Sequence, residues 1–302
     1  MYAIEHRTAR PAALNERAAV TLRPGAPADA APCGRICFEA FKALADRHGF
    51  ARDFPSADAA AELLAMLLSH PRFHSVIAVR DGEICGSNFL DERSAILGVG
   101  PISVDPTVQR SGIGRRLMEN VLARAARRQA AGVRLVQSAY NNQSLCLYTK
   151  LGFRTREPLS LMRGPISGVN LAGYDVRKAR AADIAACSAL CTKVHGHDRA
   201  GELSDAVAAG TATVVERLGR ITGYATDIGF MAHAVGDTNE DLMALIGAAK
   251  TIAGPGILVP TRNHALFSWC MENGLQLSFQ MTLMSIGLYG EPTGAYLPSV
   301  LY

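Results

Sequence analysis

The sequence lacks a large charge of either sign, long apolar runs and closely paired cysteines. Its 302 residues carry 31 Lys and Arg against 27 Asp and Glu, and the net charge of +4 is too small to indicate a general nucleic-acid binder. No apolar run approaches the roughly 18 residues that span a bilayer. The first 19 residues contain Arg and Glu but no apolar segment typical of a secretory signal. We therefore expect a cytoplasmic protein with neither nucleic acid nor membrane as a partner.

Cysteine and lysine are also informative through their scarcity. The seven cysteines are an odd number without a CxxC motif, which predicts a reduced protein with buried thiols. Only five of the 31 basic residues are lysine. The many arginines suit phosphate binding, but a biased composition explains them equally well. The segment His195-Gly196-His197-Asp198 has no fourth ligand nearby, so we expect a polar loop and no metal site.

Two parts of the chain carry the same pattern, R-x-G-x-I-x-G. It occurs at 80–86 and again at 217–223, and residues that favour β-strands precede both copies. A hairpin is expected at each, since Asp81-Gly82 is a strong turn signal. The copies indicate an internal duplication, although chance similarity in a chain of biased composition is the alternative.

Two further similarities keep the same order along the chain. Asp29 and Asp183 each precede a helical stretch with two cysteines, and we interpret both as N-caps. Asn141 and Asn263 each stand 11 residues before a glycine. Three similarities in one order favour duplication over chance.

The turn-rich stretch 164–173 lacks periodicity and separates the two halves. Each half has the predicted order strand, helix, hairpin, strand, helix, strand, helix, strand, which implies an α/β protein with a mixed sheet flanked by helices. The predicted divisions are an N-terminal extension at 1–19, a first domain at 20–163, a linker at 164–173 and a second domain at 174–302. The tail 289–302, rich in aromatics and proline, should pack along the body near a cleft between the domains.

A candidate anion site follows Asp105-Pro106, which ends an apolar strand. The segment Gln109–Gly114 reads Q-R-S-G-I-G and opens an amphipathic helix that Gly132 ends. A helix start offers unpaired N–H groups and the positive end of the helix dipole. Gly112 and Gly114 allow a diphosphate to approach the main chain closely, while arginines on either side add charge. The bare pattern is weak, but the strand before it and the helix after it favour a phosphate loop.

The run from Ile102 to Gly114, followed by Asn141 to Tyr148 and Leu151-Gly152-Phe153, resembles the GNAT superfamily of acetyl-CoA-dependent N-acyltransferases. This resemblance covers about residues 20–163. The whole chain is similar to tandem GNAT proteins, in which a complete N-terminal copy precedes a degenerate C-terminal copy. The implied fold is two tandem GNAT-like domains, each a mixed, mostly antiparallel sheet flanked by helices with a splayed central strand pair.

The resemblance also implies a set of residues for acetyl-CoA, the expected co-substrate. The main chain near the splayed strands would pair with the pantetheine arm and polarise the acyl carbonyl. The phosphate loop would hold the diphosphate, and a later helix would touch pantetheine or adenine. The cofactor-binding residues implied in this way are Ile102, Ser103, Val104, Gln109, Arg110, Ser111, Gly112, Ile113, Gly114, Arg115, Asn141 and Ser144.

Tyr148 is the implied general acid, because it lies one helical turn after Ser144 and would reach the sulfur; simple packing of its ring is the alternative. No general base is predicted. The strand before the loop has no carboxylate, and Asp91 and Glu92 in the preceding turn are expected to be solvated. A water chain could also take the proton. Ser103 and Asn88 are weaker candidates for lining the pocket.

The second half has three acids, within 237–241, where the repeat predicts a phosphate loop, and acids repel a diphosphate. We therefore expect 174–302 to bind no acetyl-CoA and to shape the acceptor pocket. The leading function is acetyl transfer to a small-molecule amine or a protein amine by a monomer or homodimer. An acyl-CoA-binding sensor without turnover is the alternative.

Overall fold

The computed structural model describes residues 19–165 and 168–302; most of the predicted N-terminal extension and two linker positions lie outside the described residues. Three single 3₁₀ turns precede helices or the phosphate loop. The strands and helices of the first half are β1 Thr21–Pro24, α1 Ala30–His48, α2 Ala57–Ser69, β2 Phe73–Arg80, β3 Glu83–Asp91, β4 Ile96–Val99, β5 Ser103–Val104, α3 Ile113–Arg127, β6 Gly132–Ser138, α4 Asn142–Lys150 and β7 Arg154–Arg163. Those of the second half are β8 Asp175–Lys178, α5 Ile184–His195, α6 Ala200–Ala209, β9 Thr213–Arg217, β10 Arg220–Ala225, β11 Ala234–Gly236, α7 Asn239–Ala248, β12 Ile257–Pro260, α8 His264–Glu272, β13 Gln276–Gly287 and β14 Ala295–Leu297.

Each half has two helices after its first strand, whereas the sequence predicted one. In the first half the break has a clear local cause. Gly49 ends α1 in the left-handed conformation at a φ of 70°, and the Ser56 hydroxyl accepts a hydrogen bond from the Ala59 N–H at 3.1 Å to begin α2. The loop between these two helices crosses the edge of the functional cavity described below.

The mixed α/β architecture with mostly antiparallel pairing is confirmed. One sheet has nine strands in the order β1-β2-β3-β4-β6-β13-β7-β12, with β5 paired to β3; the other has five in the order β14-β11-β10-β9-β8. Helices α1 and α2 pack on one face of the large sheet, and α3 packs on the other through the predicted apolar stripe. That stripe contains Leu117, Met118, Val121 and Ala125, all buried.

The two halves exchange strands within the nine-stranded sheet, which the sequence did not predict. Strand β13 of the second half lies between β6 and β7 of the first half, pairing with both, and β12 pairs with the far side of β7. The β6–β13 register runs through seven residue pairs, from Met281 opposite Ser138 to Gly287 opposite Gly132. Strands β7 and β13 therefore each pair with strands of the other half, and the proposed division at 164–173 separates sequence segments that share one sheet.

The similarities that indicated duplication recur as similar structures. Both predicted hairpins form, β2–β3 and β9–β10, and each turns through two residues with positive φ. Asn141 and Asn263 each accept a hydrogen bond from the N–H three residues on, at the start of α4 and α8. Asp29 and Asp183 are also equivalent, but the prediction that their side chains cap the following helix is wrong. Each carboxylate instead accepts from the N–H three residues upstream at 2.8 Å and pairs with an arginine six residues upstream at 2.7 Å.

The tail packs along the body, as predicted. Strand β14 adds to the edge of β11, and the last two residues, Leu301 and Tyr302, are buried. A Cβ at Gly98 on β4 would collide with the Leu301 carbonyl, so the chain ends against the central strands of the first half. The Arg134 guanidinium, 2% exposed, lies over the Tyr302 ring and contacts its hydroxyl.

Candidate active site

The central strands of the large sheet separate after a short parallel ladder. Strands β4 and β6 pair only from Ile96 opposite Gly132 to Gly98 opposite Arg134. Beyond this point β5 turns back onto β3, with Ser103 opposite Ser87. The rest of β6 has no partner on that side, so a gap opens between β5 and β6 at their carboxyl ends. In open α/β sheets, such a point is where ligands bind.

A loop with free main-chain donors lies at the mouth of this gap. Helix α3 begins after Gly112, which has a φ of 87° and no side chain to cap the helix. Within the described residues, the N–H groups from Arg110 to Arg115 donate to no carbonyl or side chain. A Cβ added at Gly112 would meet nothing within 4 Å. The loop is thus an open cradle of N–H donors at the positive end of a helix.

A cavity of about 1040 Å³ runs from this loop into the gap between the strands. It continues under α1 and α2, and residues of the second half, including Phe230 and Met231, close its far wall. Ten of the predicted site residues line it. They are Ile102, Ser103, Val104, Gln109, Arg110, Ile113, Gly114, Asn141, Ser144 and Tyr148.

Three predicted site residues lie outside the cavity wall. Ser111 and Gly112 are exposed at the rim of the loop, where the Ser111 hydroxyl donates to the Val108 carbonyl at 2.6 Å. Arg115 points along its own helix, and its Nε donates to Glu119 at 2.8 Å. The structure therefore gathers the predicted residues at one place, with Arg115 the most peripheral of the set.

The sequence profile of the acetyltransferase (GNAT) domain family matches residues 71–155, which include the loop and both splayed strands. We call residues 71–155 the GNAT domain after this match. The fold extends further than this match. A Pyrococcus horikoshii protein proposed to be an acetyltransferase is similar over 94% of both chains, at 18% identity and a TM-score of 0.68. A GCN5-related N-acetyltransferase from Sphaerobacter thermophilus is similar over 92% of this chain and 98% of its own, at 16% identity and a TM-score of 0.61. A search of curated proteins gave no match.

Tyr148 is a buried polar residue in the wall of the cavity. Its side chain is 5% exposed, and its ring packs against Phe153 at 6.1 Å between centroids. Burial raises the pKa of the Tyr148 hydroxyl to about 12, and contact with the Ser144 side chain partly opposes the rise. The phenol is therefore protonated at neutral pH. It both packs its ring and presents a hydroxyl at the cavity, so the two roles expected from the sequence are compatible.

Four carboxylates line the cavity, and three are already engaged. Glu202 is buried, which would raise its pKa, but Arg199 and His233 hold that pKa well below the usual range. Asp205 pairs with Arg93 at 3.0 Å, and Asp227 accepts from the Ile228 N–H at 2.7 Å.

The fourth carboxylate that lines the cavity belongs to Asp53, in the loop between α1 and α2. No donor contacts its half-buried carboxylate in the described parts of the chain, and burial raises its pKa to about 6. Sequence reasoning missed this residue. The available signal was an acid between two aromatic residues, Phe50 and Phe54, which favour burial of the loop.

The expectation that Asp91 and Glu92 are solvated is wrong. Their exposed fractions are 8% and 7%. Asp91 binds Arg93 at 2.6 Å, and Glu92 binds Arg124 at 2.7 Å on α3. Both acids hold the GNAT domain together beside the cavity rather than facing solvent, and neither lines it.

In the second half, a side chain and a strand of the protein itself occupy the positions equivalent to the cradle and the gap. Asp241 replaces the open cradle: its carboxylate accepts from the Thr238 N–H at 2.9 Å and from the Thr222 hydroxyl at 2.5 Å. Strand β14 pairs with β11 and packs beside β12, so it fills the gap that the GNAT domain leaves open. Cys270, at the position matching Tyr148, is fully buried.

Two further classes of site give no candidate. No group of three or more His, Cys, Asp or Glu that could hold a metal ion occurs in 19–165 or 168–302. His195, expected in a polar loop, is buried and packs against Tyr296 at 5.1 Å. Among the helices that the structure describes, none is long and apolar enough to cross a membrane.

Proposed function

We propose that the protein transfers the acetyl group of acetyl-CoA to a primary amine by direct attack within a ternary complex. The observation that carries this proposal is the open cradle of N–H groups from Arg110 to Arg115 at the mouth of the gap between β5 and β6. A diphosphate is the anion that best matches several main-chain donors at a helix start, with Arg110 adding charge. The cavity behind the loop gives a pantetheine arm room to extend along β5.

The residues around the gap would hold the co-substrate in an extended form. Main-chain groups of Ile102, Ser103 and Val104 would pair with the pantetheine amides and polarise the acyl carbonyl. Asn141 and Ser144 would contact the pantetheine or adenine side from α4. Fixed main-chain donors cost little reorganisation as charge develops on the carbonyl oxygen.

Tyr148 would supply the proton that the leaving sulfur needs. Its raised pKa keeps the hydroxyl protonated at neutral pH, and the hydroxyl shares the cavity with the splayed strands. A positioned proton donor of this kind contributes about 100-fold or more to a rate.

The second half would build the acceptor side of the site rather than a second catalytic centre. Its Asp241 and β14 occupy the places of the cradle and the gap, so we expect one acetyl-CoA for each chain. Phe230 and Met231 bring apolar surface to the cavity opposite α1 and α2. The acceptor is a small-molecule amine or a protein amine.

Thiol release tests the function. Purified protein is incubated with acetyl-CoA and a panel of small amines and peptides, and free CoA is measured with a thiol reagent. We expect release that depends on one class of amine and falls about 100-fold in Tyr148→Phe. Binding of acetyl-CoA without release beyond that variant would support the alternative, a sensor module without turnover.

A further inference from the structure

We propose that Asp53 is the catalytic base that takes the proton from the acceptor amine. This inference rests on the proposed acetyl transfer and adds the residue that the sequence could not supply. The loop between α1 and α2 carries Asp53 into the wall of the cavity that also holds the phosphate loop.

The loop that carries Asp53 lies beside both splayed strands. Its residue Phe50 stacks on Tyr140, which follows the end of β6, with 4.5 Å between the ring centroids. Helix α1, which leads into the loop, packs against β5. Asp53 and Ser103 of β5 line the same cavity, so we place the Asp53 carboxylate near the gap where the acyl carbonyl would be held.

The carboxylate is also chemically available, unlike its neighbours. Glu202 and Asp205 are bound by arginines, and the Asp227 carboxylate accepts a main-chain hydrogen bond. Arg52, next to Asp53 in the chain, is engaged with Asp46 at 2.9 Å. The Cys37 thiol and the Tyr140 hydroxyl are two titratable groups that the Asp53 charge affects, and the pKa of each is raised, chiefly by burial. Both are therefore neutral while Asp53 titrates.

Two basic residues at the end of α1, Arg47 and His48, line the same cavity, and His48 is exposed with its ring against Tyr140 at 5.2 Å. Among the described residues, neither forms a salt bridge with Asp53, whose pKa is shifted by burial alone. With the pKa of Asp53 raised to about 6 by burial, the group is ionised at neutral pH yet basic enough to accept a proton.

The proton balance of the step is simple. The amine nitrogen forms a bond to the carbonyl carbon of the thioester, and the carbon–sulfur bond breaks. The proton lost by the nitrogen passes to the Asp53 carboxylate, while the sulfur receives a proton from Tyr148. Release of the amide and the thiol lets Asp53 return its proton to solvent and Tyr148 regain one.

Two substitutions test the role, with one matched control. Asp53→Asn removes the base and keeps the shape; Asp58→Asn makes the same change at an exposed position of α2. We expect Asp53→Asn to lower kcat about 100-fold, to leave the dissociation constant for acetyl-CoA unchanged, and to abolish the rise of kcat/KM through pH 6. Asp58→Asn should keep both the rate and the pH profile.

Rescue distinguishes a base from a structural residue. In Asp53→Ala, added formate should restore thiol release in proportion to its concentration, since a small carboxylate can enter the vacated space. An unchanged pH profile in Asp53→Asn, or a raised KM for the amine with unchanged kcat, would overturn the proposal and make Asp53 a binding residue at most. Wild-type protein that releases no thiol with any amine would instead overturn acetyl transfer itself, and the base with it.

Discussion

The two halves of this chain start from similar strands, hairpins and helices and end with opposite grooves. In the GNAT domain the gap between β5 and β6 is open, and the loop before α3 has free N–H donors. In the second half, β14 occupies the corresponding gap, and the Asp241 carboxylate accepts a hydrogen bond from the Thr238 N–H at the start of α7. The same architecture thus has an open groove in one half and a filled groove in the other.

The difference shows that a few local features, rather than the fold, decide whether such a groove keeps free main-chain donors. A glycine with positive φ and no cap leaves donors for a ligand, whereas a threonine and an aspartate satisfy them internally. In the second half, the atoms that fill the groove also form hydrogen bonds that stabilise the fold. It remains part of the site because its far side forms a wall of the open cavity.

The largest expected effect comes from separating the halves. A fragment ending at residue 165 loses β13 and β12, so β6 and both edges of β7 are exposed. Unpaired edges of this length favour aggregation, and we expect neither 19–165 nor 168–302 to unfold cooperatively when expressed alone. Circular dichroism and solubility measure this outcome.

The control keeps every strand and cuts only the connection. A protease site placed within 164–173 should allow cleavage while the two pieces remain associated, with a melting temperature close to that of the uncut protein. Two fragments that fold and melt separately would show that the exchange of strands is dispensable.

The next largest effect is expected at the cradle itself. Gly114→Asp places a carboxylate beside the free N–H groups, and a Cβ there has only ordinary contacts at 3.8 Å, so the fold should be retained. Repulsion of the diphosphate should weaken acetyl-CoA binding at least about 100-fold by calorimetry. Arg127→Gln removes one positive charge at the exposed far end of the same helix and should leave binding within about twofold. Equal losses in both variants would mean that net charge, not the loop, controls binding.

The sequence predicted this loop well because its signals are local. The strand that ends at Asp105-Pro106 and the helical spacing of apolar residues in α3 lie within one short segment. The glycines between them can be interpreted without knowing any contact to a distant part of the chain. The hairpins and the asparagine caps were predictable for the same reason. Ten of the predicted site residues meet in one cavity because the loop, β5 and α4 follow the family pattern.

The features that the sequence did not predict depend on contacts between distant segments. Strands β7 and β13 are each preceded by a glycine and an apolar residue, and both have the hydrophobic pattern expected of a strand that pairs with β6. The pattern alone therefore could not show which of the two strands pairs with β6. Strand β14 has three residues, too few for periodicity to be visible. We expected Asp91 and Glu92 to be solvated and made no prediction for Asp53. An acid in a loop carries no local sign of which residues will cover it.

A smaller effect is expected from opening the closed groove. Asp241→Ala removes the partner of the Thr238 N–H and leaves the buried Thr222 hydroxyl without its acceptor, which should lower the free energy of unfolding by about 2–3 kcal/mol. Binding of acetyl-CoA should stay at one per chain, because β14 still fills the gap. Asp237→Ala, which breaks only a surface pair with Lys193, should cost less than about 1 kcal/mol. Denaturant unfolding and calorimetric stoichiometry measure both values, and a second bound acetyl-CoA would show that Asp241 alone closes the groove.

The smallest effect compares two acids, one in each half. Asp241 is stabilised by three hydrogen bonds, whereas burial without donors raises the pKa of Asp53 to about 6. A raised carboxyl pKa means that the folded protein holds the proton more tightly than the unfolded chain. Its stabilising contribution is complete below about pH 3.8 and is lost as the pH rises through 6.

The variant Asp53→Asn has no carboxyl group at this position, so its stability does not fall in this way as the pH rises. The variant should therefore match the wild type near pH 4 and exceed its stability by about 1–2 kcal/mol above pH 7, because partial exposure reduces the full linkage value. Urea unfolding of the two proteins across pH 4–8 measures the difference. A variant that is less stable than the wild type at pH 7 would mean that the Asp53 carboxylate finds a donor when folded. The contrast between an acid without a hydrogen-bond donor in the first half and a bonded acid in the second half would then not hold.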